Sequence, residues 1–314
     1  MSSVPFAKVI VNPAAGGYSG RTKWPRINQL LCKVGLSFDY EFTNESGHAM
    51  AISREACEKG YGCVVAVGGD GTVNEVVNGI LTSTNPRSTA LGVISTGTAC
   101  NFARSLGIPQ DNASACLLLT GQSRVVVDVG LVTFQNQNKT SQRYFVGAAD
   151  VGMGSAVVDI WNRQPSPFGS HLNHLLRLTE ALIHFFQHRN KLMKIQIGPE
   201  VVTDYSFDVV IANQPYFADG MKIAPRATLN DGLLDMVTFG DISKYELLKM
   251  WPKLYHGGHI GYPKIEERQI ESVTIDCQDK LLVEADGLIL GETPASFQVI
   301  PAALTVVLAD GSFA

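Results

Sequence analysis

The stretch that decides the fold is VVAVGGDGTVNEVVNGI, which runs from Val64 to Ile80. It opens with four apolar residues and predicts a buried strand. Apolar residues then recur at helical spacing from Val73 to Ile80 and predict a helix directly after the strand. Three glycines and a carboxylate stand at the junction, although a turn needs only one or two glycines. We therefore expect a ligand to approach the backbone closely there.

The rest of the first 128 residues continues this alternation of strand and helix. Ala7–Val11 and Leu91–Ile94 are short apolar runs, and helical patterns lie between them. Such alternation implies a parallel sheet that is covered by helices on both faces. We predict an α/β domain of the Rossmann-like type over residues 1–128.

After Asp128 the pattern changes to short strand-like runs. Asn-Asp-Gly, Asp-Gly and proline turns separate many of them, which is typical of an antiparallel sandwich. Two helical segments, His171–Arg189 and Ser243–Tyr255, interrupt the series. We predict a β-sandwich domain over residues 129–314, and an exposed edge of that sandwich could support a homodimer.

Four histidines accompany a leucine- and phenylalanine-rich stripe in the first of these helices. They are His171, His174, His184 and His188. Their spacing of three and four residues could bind zinc, but no cysteine or carboxylate completes a site. We expect an amphipathic helix with the histidines on its wetter face.

Composition excludes several classes of protein. The chain has 314 residues, is 45% hydrophobic and carries a net charge of −4, which argues against a basic nucleic-acid-binding surface. No apolar run is long enough to span a membrane, and the apolar part of the N-terminus is too short for a signal peptide. The six scattered cysteines indicate free thiols. We expect a cytoplasmic protein whose contact with membranes is transient and peripheral.

The glycine-rich junction lies where a parallel sheet binds its ligands, at the carboxyl end of a strand. Bare backbone N–H groups and the following helix N-terminus suit a phosphate. Two simpler interpretations remain open: Asp70 could only stabilise the turn, and Thr72 with Glu75 could form a capping box on the helix. Neither a G-x-G-x-x-G fingerprint nor a P-loop is present.

Two more loops of small residues follow neighbouring strands. Asn12–Gly17 follows the first strand and Ser95–Ala99 follows the fourth. Each is a weak signal by itself, because such residues occur in any loop. Together with the glycine-rich junction they would line one crevice.

These motifs resemble the diacylglycerol kinase catalytic domain family, which also holds sphingosine and ceramide kinases. The resemblance is nearest to the bacterial YegS/BmrU-type lipid kinases. It is carried by Asn12-Pro13-x-x-Gly16, Thr43 with Gly47-His48-Ala49, Gly68-Gly69-Asp70-Gly71-Thr72-x-Asn74-Glu75, Gly97-Thr98-Ala99-x-x-Phe102-Ala103-Arg104, Lys222-Ile223-Ala224-Pro225, Asn230-Asp231-Gly232-Leu233, and Asp286-Gly287.

The resemblance implies an ATP- and Mg²⁺-dependent lipid kinase with its active site between the two domains. The first domain would bind the nucleotide, and the second would bind a lipid substrate at the membrane surface, such as diacylglycerol. By this likeness Asp70 would organise the phosphates and Mg²⁺. The nucleotide-binding residues would be Asn12, Thr43, Gly68, Gly69, Asp70, Gly71, Thr72, Asn74, Glu75 and Thr98.

Two further assignments depend on the same resemblance. Asp286 matches the family's general base, although an Asp-Gly step between two strand-like runs is by itself a hairpin turn. Thr228, Asp231 and Leu233 match a Mg²⁺ site built from backbone and carboxylate oxygens, which are the hard ligands that this ion prefers.

The sequence also departs from the family pattern. Leu288 replaces the glutamate of Asp-Gly-Glu, and Cys100 and Asn101 replace the final Asn-Asp of Gly-Thr-x-Asn-Asp. These changes leave a weakly active or non-catalytic nucleotide- or lipid-binding protein as one alternative. A kinase of a soluble hydroxyl substrate, as in the NAD kinases, is the other.

Overall fold

The computed structural model describes residues 6–121, 123–137, 139–162 and 170–308, with side chains of 170–175 excepted. The helices are α1 (Ala15–Lys33), α2 (His48–Glu58), α3 (Asp70–Leu81), α4 (Asn101–Ser105), α5 (Asn112–Leu118), α6 (Met153–Asn162), α7 (Ser170–Gln187) and α8 (Lys244–Leu254). The strands are β1 (Ala7–Val11), β2 (Phe38–Phe42), β3 (Cys63–Gly68), β4 (Ala90–Ser95), β5 (Arg124–Asn136), β6 (Lys139–Phe145), β7 (Ala148–Gly152), β8 (Lys191–Ile197), β9 (Glu200–Ser206), β10 (Asp208–Ala212), β11 (Tyr216–Phe217), β12 (Met221–Lys222), β13 (Leu234–Phe239), β14 (Ile265–Ile270), β15 (Ser272–Cys277), β16 (Leu282–Ala285) and β17 (Leu288–Val307).

The first half is a parallel sheet with the order β2-β1-β3-β4. Because side chains alternate along a strand, β3 feeds two cores. Val64 and Ala66 pack in the same apolar cluster as Ile80 of α3, whereas Val65 packs with Ile27 of α1 on the other face. The prediction of an α/β layer with helices on both faces is confirmed.

The second half is antiparallel, and the long strand β17 joins it to the first. This strand pairs antiparallel with β5, β15 and β16, and Val306 near its end pairs parallel with Leu91 of β4. The sequence predicts three separate runs here, but register shifts let one strand continue past the irregular steps. The sandwich-type second half is confirmed. The boundary after Asp128 stays a prediction, because strand pairing continues from one half into the other.

The connections at the carboxyl ends of β1, β3 and β4 face the hairpin between β16 and β17. Hydrogen bonds from Asn74 of α3 to Tyr144 and Asp286 join the first half to the second here. None of the helices within the described ranges is long and apolar enough to cross a bilayer.

Candidate active site

Packing explains two of the three glycines at the end of β3. A Cβ on Gly68 would lie 2.3 Å from Oγ1 of Thr72, and a Cβ on Gly69 would lie 3.3 Å from the Cα of Gly97 in the loop after β4. These positions must therefore be small. Gly71 is different, because a Cβ there would meet nothing within 4 Å. Its backbone borders open space, as close approach of a ligand requires.

Asp70 connects this loop to the short helix α4. Its Oδ2 accepts the N–H of Asn101, and its Oδ1 accepts the N–H of Phe102, each at 3.1 Å. The carboxylate is half-buried and holds the loop after β4 against the loop after β3. The structure thus shows what Asp70 stabilises, and its role toward phosphates and Mg²⁺ stays a prediction.

The other predicted nucleotide residues lie around the same strand ends. Asn12 donates from Nδ2 to Oγ1 of Thr72 at 3.0 Å, which joins the first loop to the glycine-rich one. The backbone N–H of Thr43 donates to the carbonyl of Val11 at 2.9 Å. Thr98 is exposed. The three loops lie against one another, since a Cβ on Gly16 would also lie 2.3 Å from the carbonyl oxygen of Thr96, and a shared ligand crevice stays a prediction.

The capping-box interpretation of Glu75 is wrong. The residue before α3 is Gly69, and no side chain caps that helix. Glu75 instead accepts the backbone N–H of Gly47 at 2.7 Å and that of Ala49 at 3.1 Å. It therefore stabilises the start of α2, where free N–H groups face a carboxylate.

Asp286 occupies the turn between β16 and β17 with a φ of 49°. Its Oδ2 accepts N–H groups of Asn74 at 2.8 Å and Val146 at 2.9 Å. Its Oδ1 accepts those of Gly147 at 2.8 Å and Ala148 at 3.2 Å. Burial raises the pKa of Asp286 to about 6, although the bonds to its charged form act in the opposite direction. It is a turn residue whose carboxylate bonds to groups of both halves, and its role as a base stays a prediction.

Sequence analysis missed the group that orients Asn74. Arg143, on β6, donates from Nε at 2.9 Å and from Nη2 at 2.7 Å to Oδ1 of Asn74. Asn78 donates to the same oxygen at 3.2 Å. The amide nitrogen of Asn74 must then point toward Asp286. Asn78 could have been identified from the sequence, because it is a polar residue one turn after Asn74 on α3. Nothing in the sequence indicated Arg143.

A buried acidic group behind the Asp286 turn was also missed. Asp150, Asp208 and Glu284 lie on adjacent strands and are almost fully buried. Glu284 accepts the N–H of Gly287, and neither oxygen of Asp150 makes a hydrogen bond of normal geometry within the described chain. Burial raises the pKa of Asp150 to about 7, and burial with repulsion from Asp150 raises those of Asp208 and Glu284. Protons therefore remain in this group at neutral pH.

The predicted Mg²⁺ segment offers suitable oxygen ligands. Asp231 is exposed and accepts the N–H of Leu233 at 3.0 Å, and Thr228 is exposed nearby in sequence. Buried Asp235 has an oxygen without a hydrogen bond, and burial followed by repulsion from Glu267 and Asp231 raises its pKa to about 7. This surplus of negative charge fits a hard cation. The described residues form no cluster of three or more histidine, cysteine or acidic side chains with metal-binding geometry.

The residues that depart from the family pattern have defined places. Leu288 lies opposite Ala285 in the hairpin that carries Asp286. Cys100 is buried and has a φ of 48° before α4. Asn101 donates from Nδ2 to the carbonyl of Ala218 at 2.6 Å, so it joins α4 to the second half.

Comparison with known proteins agrees with this arrangement. The diacylglycerol kinase catalytic domain model matches residues 7–132, and the YegS C-terminal NAD kinase beta sandwich-like domain model matches residues 147–308. A diacylglycerol kinase of Staphylococcus carnosus is 26% identical over 93% of this chain and 91% of its own length. One of Bacillus subtilis is 26% identical over 93% and 92%. A crystal structure of a diacylglycerol kinase from Bacillus anthracis covers 100% of both chains with a TM-score of 0.72 at 20% identity, which is a likeness of fold.

Proposed function

The chain belongs to the diacylglycerol kinase family of lipid kinases, and we propose that it transfers the γ-phosphate of ATP to the free hydroxyl of diacylglycerol or a related neutral lipid. Relatives named diacylglycerol kinase support this substrate class. The proposed nucleotide site is the crevice formed by the loops after β1, β3 and β4.

One contact carries the proposal. Asn74 lies on the helix that follows the glycine-rich loop, and its amide donates to Asp286 at 2.8 Å across 212 residues of sequence. The candidate base therefore lies one side chain away from the candidate phosphate site. A transferring phosphate and an attacking hydroxyl need this proximity.

The proposed step balances in atoms and charge. The lipid hydroxyl oxygen forms a bond to the γ-phosphorus, the bond from that phosphorus to the β–γ bridging oxygen breaks, and ADP leaves. Asp286 takes the hydroxyl proton. With a pKa of about 6, its carboxylate is mostly ionised at neutral pH and can accept that proton. Asp286 already accepts four hydrogen bonds, so the longest, from Ala148 at 3.2 Å, would give way to the substrate.

The remaining residues bind and orient the nucleotide in this proposal. Asn12, Thr43 and Thr98 border the crevice, and backbone N–H groups around Gly71 face the phosphates. A bound Mg²⁺ would neutralise phosphate charge, and Asp70 would help to hold it there. Asp231, with the carbonyl oxygens of Thr228 and Leu233, would hold a second ion in the other half.

Two observations favour a second candidate, a nucleotide-binding protein with little or no turnover. Leu288 lacks the carboxylate that the family pattern has at this position, and all four lone-pair directions of Asp286 already face donors. Nucleotide binding should therefore be measured separately from phosphate transfer.

The test is incubation with labelled ATP, Mg²⁺ and a panel of micellar lipids and soluble alcohols, NAD included. We expect label in a neutral lipid, and none with Asp70→Asn, because the loop held by this carboxylate would lose one of its two backbone bonds. Asp276→Asn is the control, since Asp276 is exposed on β15. Label in a soluble acceptor alone would contradict the lipid assignment. ATP binding without any labelled product would favour the second candidate.

The expected partners and location accompany this proposal. We place the enzyme in the cytoplasm, where it meets its lipid at the membrane surface without inserting a helix. A homodimer through the sandwich edge stays a prediction, as does the lack of nucleic-acid binding.

A further inference from the structure

Helix α7 exposes its apolar side. Leu182 is 56% exposed and Phe186 is 61% exposed, although both belong to a well-formed helix. Five large apolar side chains share this exposure and, at about 100° per residue, fall on one side of the helix. We call this side the outer face of α7; it consists of Leu176, Leu178, Leu182, Ile183 and Phe186.

On the opposite side, Arg177 and His184 are half-buried against the protein, whereas Thr179, Glu180 and Gln187 are exposed. Arg177 donates from Nη1 to the carbonyl of Trp161 at 2.5 Å. His184 is half-buried, and the ring of His188, just past the helix end, lies 5.0 Å from that of Phe207. Burial lowers the pKa of His188 to about 4. The prediction that the histidines take the wetter face is therefore wrong for His184 and His188; His171 and His174 lie outside the described side chains.

The number of exposed apolar side chains distinguishes α7 from an ordinary surface helix. A surface helix of a globular protein turns its apolar stripe to the core and its polar residues to water. In α7 the inward side carries Arg177 and His184 beside Phe185, whose ring lies 6.1 Å from that of Phe207, while five large apolar side chains are left uncovered. A continuous apolar surface of this kind marks a place where another apolar phase binds.

Hydrogen bonds through α6 connect α7 to the hairpin of the candidate base. Trp161 and Asn162 end α6. The carbonyl of Trp161 accepts from Arg177 of α7, and Nδ2 of Asn162 donates to the carbonyl of Gly287 at 2.8 Å. Gly287 follows Asp286 directly. Two successive residues therefore connect the exposed helix to the turn that carries the candidate base.

Basic and aromatic residues flank the C-terminal end of α7. Arg189 is exposed and has no ion pair among those found in the described ranges. Lys244 at the start of α8 adds no exposed charge, because its Nζ is buried and lies 5.2 Å from the ring centre of Phe185. Helix α8 continues with exposed Tyr245 and Trp251, and both are amphipathic rings suited to a membrane–water boundary. A cationic side chain beside an apolar face complements anionic lipid headgroups.

We propose that the outer face of α7 docks on a lipid bilayer, so that the substrate lipid reaches Asp286 without leaving the membrane for water. The inference rests on the proposed function for its purpose, whereas the docking itself needs no catalysis. The helix would lie in the plane of the interface, with its apolar side chains below the headgroups.

The test measures binding of the full chain to vesicles of phosphatidylcholine and phosphatidylglycerol by co-sedimentation. We expect Leu182→Ser/Phe186→Ser to weaken binding by at least tenfold, because burial of each side chain contributes roughly that factor. Leu117→Ser is the matched control, since Leu117 is 62% exposed on α5 in the other half. It should bind like the wild type, and both variants should keep the wild-type melting temperature because the changed side chains are exposed.

Kinase assays separate docking from catalysis. The double variant should phosphorylate a short-chain diacylglycerol dispersed as monomers at the wild-type rate, and should lose at least tenfold in rate on the same headgroup embedded in vesicles. Vesicle binding by the wild type without phosphorylation of any lipid would support docking and contradict the proposed function.

Three results would overturn the docking proposal. The first is a wild-type chain that does not bind vesicles, and the second is a double variant that binds them as well as the wild type. The third is a wild-type dimer, measured by light scattering, that the double variant converts to monomer. In that case the outer face of α7 packs against a second copy of the chain.

Discussion

Asp286 and Glu284 belong to the same hairpin but have opposite surroundings. Asp286 is half-buried and accepts four N–H groups. Glu284 is fully buried, accepts one N–H from Gly287 and has a second oxygen without a hydrogen bond, beside Asp150. Burial raises both pKa values; hydrogen bonds from several donors offset the shift at Asp286, whereas Gly287 alone does so at Glu284. The number of hydrogen-bond donors, more than the depth of burial, decides whether a carboxyl group of this hairpin is ionised or protonated.

The largest effect is expected when Asp286 can no longer accept a proton. Asp286→Asn should lower kcat by about 10²- to 10⁴-fold, because an amide cannot accept the substrate proton. ATP binding, measured by calorimetry, should stay within a factor of about two, since Asp286 contacts no residue assigned to ATP other than Asn74. An unchanged kcat would show that Asp286 is only a turn residue, and Asp276→Asn serves as the control.

Replacement of Arg143 tests the donors to Asp286 without changing Asp286 itself. Arg143→Met should let the amide of Asn74 rotate and withdraw its N–H from Asp286, which raises the pKa of Asp286 above 6. Loss of the guanidinium charge acts in the same direction, whereas Asp70 and Glu284, the facing acids, are unchanged. The acid limb of kcat/KM against pH should move upward by roughly half to one pH unit.

Arg143→Lys provides the matched variant for this measurement. Lysine keeps the charge but loses the two-pronged contact with Oδ1 of Asn74. We expect its limb to fall between those of the wild type and Arg143→Met. A limb that stays near pH 6 in both variants, with a lower melting temperature, would assign Arg143 to stability alone.

The smallest effect is expected at the buried carboxyl group of Glu284. Because the folded-state pKa of Glu284 is raised, the folded protein retains a proton that the unfolded chain releases above about pH 4. The contribution of Glu284 to the stability of the folded protein is therefore complete below about pH 4. It is lost as the pH rises through the raised pKa of the folded state. Glu284→Gln mimics the protonated acid and should gain on the order of 1 kcal/mol relative to wild type at pH 8.

Urea unfolding at pH 5 and pH 8 measures this difference. The gain of Glu284→Gln should be larger at pH 8 than at pH 5, and its kcat should stay near the wild-type value. Glu271→Gln is the control, because Glu271 is exposed in the same half. An equal effect at the two pH values would mean that Glu284 is ionised in the folded protein.

Local patterns were sufficient for the α/β half and for the existence of the glycine-rich junction. They failed where a side chain acts on another element. Glu75 has the spacing of a capping box, yet its carboxylate reaches α2, because that helix start offers free N–H groups within range. The periodicity of α7 correctly predicts an amphipathic helix, but periodicity does not determine which side of the helix faces the protein.

The sequence by itself determined the order of strands and helices, the three loops after β1, β3 and β4, the Asp-Gly hairpin and the family. These depend on residues close together in the chain, whose spacing carries the information. Only the tertiary structure decided that Asn74 meets Asp286, that Arg143 orients Asn74, and that α7 exposes large apolar side chains. Such contacts join residues far apart in sequence, and their energies come from burial and hydrogen bonding that exist only once the sheet has assembled.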